Sequence, residues 1–174
     1  KLNNLEHHTL FFDEDMEKLS QEIYDTKVWP EKPLFYTCCP AKSEEGLAPE
    51  GKENLFILMP ISAGLEDTEA LREKYFQMIL KRLERYCNQE IISDIEYQKS
   101  YCIKNFEEDY FAYKGNAYGL ANTLMQTANL KPRIKNKKVS NLYYCGQLTV
   151  PGPGVPPSII SGQLVAEQII KRNK

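Results

Sequence analysis

The chain has 174 residues, of which 42% are hydrophobic and 26% are charged, and its formal net charge is −2. This length suits one domain, or one domain with a piece of another, and the apolar fraction allows a sizeable core. The near-neutral balance lacks the electrostatic footprint of a nucleic-acid-binding protein, so no nucleic-acid partner is predicted.

The expected location follows from the hydrophobic runs and the cysteines. No apolar run reaches the roughly 20 residues that a membrane span needs, and residues 1–10 lack the apolar run of a secretory signal. The cysteines show no paired C-x-x-C spacing and read as buried free thiols in a reducing compartment. They are Cys38, Cys39, Cys87, Cys102 and Cys145. We expect a cytoplasmic protein, with peripheral contact at the inner face of a membrane left open, and further residues upstream of Lys1.

The first 61 residues predict three strands and one helix. The strands are expected at 7–12, 34–39 and 54–61. Each is a short apolar run that ends at turn residues or at proline. A helix is expected at 14–24 with Asp13 as its N-cap. The last two strands can pair as a hairpin across a long loop at 41–52.

Two adjacent histidines, His7 and His8, lie in the first predicted strand. Successive residues of a strand point to opposite faces, and no cysteine or carboxylate is spaced to join the two imidazoles. No metal site is therefore predicted.

The middle of the chain predicts two helices and one strand. The longest helix is expected at 68–87, capped by Asp67, because apolar residues recur there at i, i+4 spacing. Alternation predicts a strand at 91–101, and a short helix is expected at 106–113. Aromatic side chains are frequent from Tyr97 onward. Packing in the core and at its edges is the reading that these residues give by themselves.

The last unit predicts a strand at 141–145, a glycine and proline loop at 146–157 and a helix at 158–171. A helix N-terminus carries partial positive charge and free amides, so this arrangement suits a polar or anionic group. Four prolines in the loop remove amide donors. The donors that remain are the amides of Gly152, Gly154, Val155, Ser158 and Ile159, with the Ser158 hydroxyl. The loop lacks the G-K-[ST] of a phosphate loop, and Pro157 replaces the third glycine of the dinucleotide fingerprint.

Three segments together resemble the carotenoid desaturases of the phytoene dehydrogenase family, in the flavin-containing amine oxidase-like superfamily. The run LYYCGQLTVPGPGVPPSIISGQLVAEQI resembles the family's C-terminal FAD-contacting signature. Its matching positions are Gly146, Thr149, Pro151, Gly152, Gly154, Val155, Pro156 and Ser161. HHTLFFDED, with the helix after it, and the run at 33–61 are similar to two further family segments. In the latter the matches are Ala48, Pro49, Gly51, Leu55 and Met59.

The resemblance implies an α+β and α/β architecture for the C-terminal part of such an enzyme. Residues 1–128 would form part of a substrate-binding domain, a mixed antiparallel sheet with helices. Residues 129–140 would connect it to 141–174, a strand–loop–helix that completes a Rossmann-type FAD domain. The residues implied to contact FAD are Gly146, Gln147, Gly154, Val155, Pro156, Ser158 and Ile159. Leu148, Pro153 and Pro157 depart from the family pattern.

The implied activity is FAD-dependent desaturation of a long isoprenoid such as phytoene, and no catalytic residue is assigned. The resemblance also makes an apolar, aromatic channel for the isoprenoid chain the alternative interpretation of the aromatic residues from Tyr97 onward. A carotenoid isomerase, a ketolase or a retinol saturase-like enzyme of the same superfamily fits the same loop. A non-catalytic lipid-binding module is the third alternative, if the natural chain is this short. The basic run at 131–138 reads either as a solvated loop or as a contact for anionic lipid headgroups. The oligomeric state is left open.

Overall fold

The computed structural model describes residues 1–121 and 123–172, without the side chain of Asn129. It divides into two compact units, Lys1–Tyr110 (unit 1) and Phe111–Lys174 (unit 2). The division falls before the boundary expected at residue 128, and the functional assignment of each part stays a prediction.

A three-stranded antiparallel sheet organises unit 1. Its strands are β1 (His8–Phe11), β2 (Phe35–Cys38) and β3 (Phe56–Leu58), in the order β1-β2-β3. This confirms the three predicted strands and the β2–β3 hairpin, although each strand is shorter than expected. β3 ends two residues before Pro60, which cannot donate to a ladder.

The inner face of the sheet belongs to the hydrophobic core of unit 1, together with residues of helix α2 (Glu69–Cys87). The buried core residues are Leu5, Phe11, Phe35, Cys39, Ile79, Leu80, Leu83, Cys87 and Ile91. Phe11 and Phe35 stack at 4.2 Å between ring centroids. The apolar stripe at i, i+4 spacing on α2 is thus buried in the core, as predicted, because that spacing places its residues on one face of the helix.

Both predicted N-caps are wrong by one or two residues. α1 (Met16–Gln21) is capped by Asp15, whose carboxylate accepts from the amides of Glu17 and Lys18; a π-helical turn continues it to Thr26. α2 is capped by Thr68, whose hydroxyl accepts from the Leu71 amide. Because the Thr68 hydroxyl already accepts from the Leu71 amide, the Asp67 carboxylate can accept hydrogen bonds from other donors.

The strand predicted at 91–101 is wrong. A 3-10 turn spans Ile92–Asp94, and no regular element follows it up to the start of α3 (Ile103–Tyr110). The Glu84 carboxylate accepts from the amides of Ile91 (2.8 Å) and Ile92 (3.1 Å). These two amides therefore donate to the Glu84 side chain and not to a neighbouring strand. α3 confirms the predicted short helix, which starts three residues earlier and ends before Phe111, a residue with φ of 52°.

The described residues of unit 2 form three 3-10 turns and helix α4 (Val155–Arg172). α4 begins three residues before the predicted start, and both Pro156 and Pro157 lie in its first turn, where their missing amides cost nothing. The strand predicted at 141–145 is wrong for the described residues, which show one isolated bridge, Lys135 to Tyr143. A strand needs a continuous neighbour to pair its amides and carbonyls, and this segment meets one only at that bridge.

The cysteine prediction is confirmed in part. All five thiols are free, and Cys39 and Cys87 are fully buried, which raises the pKa of both thiols. Cys145, predicted to be buried, is exposed. In the described part of the chain, none of the helices is both long and apolar enough to cross a membrane.

Candidate functional site

The glycine loop, residues 146–154, is tied to α4 by one buried hydroxyl. Ser161 is fully buried, and its Oγ accepts a hydrogen bond from the Gly146 amide at 2.7 Å. The same hydroxyl donates to the Ser158 carbonyl at 2.6 Å. One side chain therefore sets the distance between the start of the loop and the first turn of the helix.

A second buried hydroxyl closes the start of the loop into a turn. Thr149 is 2% exposed, and both its amide (3.2 Å) and its Oγ1 (3.0 Å) donate to the Gly146 carbonyl. Gly146 has a φ of 104°, a conformation that favours glycine. A Cβ at this residue would meet nothing within 4 Å, so the space beside the turn is open to a ligand.

The first turn of α4 offers fewer donors than the sequence suggests. The Ser158 amide donates to the Gly154 carbonyl at 3.0 Å, so it is not available to a ligand. Ile159 lies one turn into the helix, where an amide bonds to the carbonyl four residues earlier. The amides of Gly154 and Val155 and the Ser158 hydroxyl remain as groups that can face a bound molecule. Gly152, the other expected donor, is buried.

The predicted FAD-contacting residues come together at one place in unit 2, the loop and the start of α4. Gly154, Val155, Pro156 and Ile159 are exposed, whereas Gly146, Gln147 and Ser158 are half-buried. Val155 is 75% exposed and Ile159 is 63% exposed. Apolar side chains thus flank a positively polarised helix end, an arrangement that fits a flat molecule with one polar edge.

Replacing Ser161 by alanine is expected to lower the free energy of unfolding by about 1–3 kcal/mol, because the part-buried Gly146 amide loses its acceptor. Native-state hydrogen exchange of the Gly146 amide measures the effect directly, and its protection should fall. Ser140→Ala is the matched control at an exposed serine. Unchanged protection of Gly146 in the Ser161 variant would contradict the role given to this hydroxyl.

A second candidate surface is the open face of the sheet in unit 1. Antiparallel register sets two rows across the three strands, His8–Cys38–Phe56 and Leu10–Tyr36–Leu58. Leu10 is 63% exposed and Phe56 is 56% exposed, whereas Tyr36, Cys38 and Leu58 are half-buried. The open face, formed by these six residues, is therefore largely apolar and partly exposed. Neighbouring exposed apolar side chains are typical of a surface that meets an apolar ligand or another part of the protein.

The aromatic residues near α3 do not form a closed channel in unit 1. Tyr101 packs edge-on against Phe106, while Tyr97 is 79% exposed and Tyr110 is 69% exposed. The Tyr101 hydroxyl donates to an Asp109 carboxylate oxygen at 2.7 Å. Desolvation, together with that hydrogen bond, raises the pKa of Tyr101 to about 12.

The sequence did not reveal that the hydroxyls of Ser161 and Thr149 hold the start of the glycine loop, although both residues match the family signature. It also missed the open face. The signal for the open face is the strand register, because pairing β1 with β2 puts every second residue of both strands on one side.

Comparison with known proteins adds a relationship to this geometry. No family model matches the chain. Over 167 residues, 96% of the chain, it is 40% identical to a protein of Haloarcula japonica named carotenoid 3,4-desaturase. Over 171 residues, 94% of the chain, it is 30% identical to 4,4'-diapophytoene desaturase (4,4'-diaponeurosporene-forming) of Staphylococcus aureus. Each match covers 34% of the relative, so the chain spans about a third of the length of the curated relatives it matches.

Proposed function

Since this chain is related in sequence to carotenoid desaturases over nearly all of its own length, we infer that it is part of an oxidoreductase that desaturates a long polyene in carotenoid biosynthesis. The observation that carries the proposal is the identity of 40% over 96% of the chain. The aligned region, 96% of the chain, includes both candidate surfaces, the glycine loop of unit 2 and the open face of unit 1. Residues 1–128 would contribute to the substrate domain, and 141–174 would complete a Rossmann-type FAD domain.

The residues of the glycine loop fit FAD. Gly146 presents an open space where a side chain would stand, and the first turn of α4 carries partial positive charge. Gly146, Gln147, Gly154, Val155, Pro156, Ser158 and Ile159 would hold the cofactor. When bound, FAD supplies the acceptor for the hydride that leaves the polyene. The helix end would stabilise negative charge on the bound cofactor, and Val155 and Ile159 would exclude water from it.

The open face fits the other reactant. A long isoprenoid has no polar group to direct its binding, so it needs an extended apolar surface rather than a few hydrogen bonds. Leu10 and Phe56 belong to neighbouring rows of the open face and are both more than half exposed. The sheet backbone behind them is paired, which holds such a surface in one shape.

Peripheral contact with a membrane is part of the proposal, because a long polyene resides in lipid. Arg133, Lys135, Lys137 and Lys138 are exposed on unit 2. Basic side chains near an anionic surface contribute about 1 kcal/mol each. This segment is therefore the proposed point of contact with lipid headgroups.

The test is conversion of polyene by the full-length protein that contains this chain. We expect flavin absorbance in the purified protein and a product with more conjugated double bonds when phytoene or diapophytoene is supplied. Leu10→Asp should lower conversion by at least about tenfold, because a charge on the open face cannot be solvated beside a hydrocarbon chain. Flavin content should stay unchanged.

Leu124→Asp is the control, since Leu124 is 83% exposed in unit 2 and outside both candidate surfaces. A full-length protein without flavin, or one that leaves every polyene unchanged, would refute the proposed activity. A Leu10→Asp variant with full conversion would refute only the role of the open face.

A further inference from the structure

Three side chains of the types that bind transition metals meet at one end of the open face. His8 and Cys38 are partners across β1 and β2, and His7 immediately precedes β1. One ring nitrogen of each histidine and the Cys38 Sγ all lie within 4.8 Å of one another. Imidazole nitrogen and thiolate sulfur are common ligands of zinc in proteins.

The backbone holds His8 and Cys38 at the closest kind of cross-strand pair. The Cys39 amide donates to the His7 carbonyl at 2.8 Å, so a ladder hydrogen bond lies beside the pair rather than within it. Antiparallel pairs of this kind bring their Cα atoms to about 4.5 Å and their side chains closer than the alternative pairs do. Cys39 itself is buried in the core, which fixes its neighbour Cys38 on the outside.

A bend before β1 brings His7 to the same side. His7 lies outside the strand, so the alternation of a strand does not govern its side chain. The two imidazoles stack with ring centroids 4.2 Å apart and an angle of 28° between their planes. The divergence expected for adjacent strand residues, which was the reason for predicting no metal site, is therefore wrong at this position.

Both imidazoles are oriented by hydrogen bonds at Nδ1. His7 Nδ1 is 2.9 Å from the Ser43 hydroxyl, and His8 Nδ1 is 2.6 Å from the Tyr36 hydroxyl. A hydrogen bond at one ring nitrogen fixes the ring of a metal-binding histidine and leaves its other ring nitrogen to the metal.

The spacing is close to what zinc needs. Ligands at 2.0–2.3 Å on a tetrahedron are about 3.5 Å apart, so the three atoms need to move by about 1 Å or less. His8 is exposed and His7 and Cys38 are half-buried, which leaves a fourth coordination position within reach of water. A site with three protein ligands and one open position is the kind that zinc enzymes use in catalysis, whereas structural sites are closed.

We propose that His7, His8 and Cys38 form a zinc-binding site with Tyr36 and Ser43 as the groups that orient the two imidazoles. Two of its ligands, His8 and Cys38, belong to the row of the open face that ends at Phe56, and zinc binding there needs neither flavin nor polyene. Its presence is therefore independent of the proposed desaturase activity.

The experiment measures zinc retained by the full-length protein that contains this chain. After removal of metal with a chelator, the protein is dialysed against Zn²⁺ and the metal is counted per chain by elemental analysis. Cys38→Ser and His8→Gln should each abolish retention of one zinc ion, and Ser43→Ala should weaken binding by about tenfold to a hundredfold. With Co²⁺, a difference spectrum should show thiolate-to-cobalt charge transfer that Cys38→Ser removes.

Cys145→Ser is the control at an exposed thiol far along the chain, and it should retain zinc and the cobalt spectrum. Circular dichroism verifies that each variant is folded. We expect folding to be kept, because His8 is exposed and Cys38 is only half-buried. No retained zinc in the unsubstituted protein, or equal retention in the Cys38→Ser and His8→Gln variants, would overturn the proposal. Flavin content and polyene conversion are measured separately, so failure of either leaves the zinc result interpretable.

Discussion

Replacing Asp67 by alanine is expected to lower the free energy of unfolding by about 3–5 kcal/mol, the usual cost of breaking a buried ion pair on one side. The Asp67 side chain is 1% exposed, and its two carboxylate oxygens accept from Arg72 Nε (2.6 Å) and Nη2 (2.7 Å). It also accepts from the Lys104 amide at 2.9 Å, at the start of α3. The substitution leaves Arg72 without its counter-charge and α3 without its cap. Denaturant unfolding followed by circular dichroism measures the loss.

The same carboxylate makes unit 1 sensitive to acid. The hydrogen bonds from Arg72 lower the pKa of Asp67 from its ordinary value of 3.8, against the opposing effect of burial. A group with a lowered folded pKa contributes full stability above its unfolded pKa, and that contribution is lost as the pH falls through the folded value. The difference in stability between the unsubstituted chain and Asp67→Asn should therefore shrink on acidification below about pH 4.

The exposed pair Lys18–Glu31 provides the control, since ion pairs on the surface contribute little. Glu31→Gln should leave the unfolding curve unchanged. A destabilisation by Asp67→Ala as small as that of the control would show that Arg72 and the Lys104 amide find other partners.

Replacing Leu83 by alanine is the second large expected effect, a loss of about 2–5 kcal/mol in the free energy of unfolding. Leu83 is fully buried in α2, within the hydrophobic cluster that also holds Phe11, Phe35 and Cys39. The cost has two parts, the lost transfer of the deleted atoms and the cavity that the surrounding side chains do not fill. Denaturant unfolding at a fixed temperature measures it.

Two controls test whether the loss comes from packing in the core: one keeps the volume at Leu83, and the other removes an exposed side chain elsewhere. Leu83→Met keeps the volume and should cost less than about 1.5 kcal/mol. Met16→Ala removes a side chain that is 65% exposed, and it should change stability by no more than about 0.5 kcal/mol. Equal losses for Leu83→Ala and Met16→Ala would contradict the placement of Leu83 at the centre of the core.

The spacing of apolar residues in the sequence predicted those elements in which buried residues recur at regular intervals. α2 repeats an apolar residue every three or four positions for five turns, so its one-sided burial is readable from the sequence. The strand prediction at 91–101 failed although its residues alternate, because alternation does not reveal that Glu84 binds the amides of Ile91 and Ile92. The strand prediction at 141–145 failed because strand formation depends on a partner that the segment does not contain.

The candidate site divides in the same way. The sequence alone determined the glycine loop, the helix after it and the residues that meet there, since all of these lie within 30 consecutive residues. Only the tertiary structure decided how Ser161 ties that loop to α4, and which amides of the first turn are left for a ligand. It also decided that His8 faces Cys38 and that a bend turns His7 beside them. These contacts join residues up to 31 positions apart, and their formation depends on strand register and backbone bends, which pairing across the fold determines.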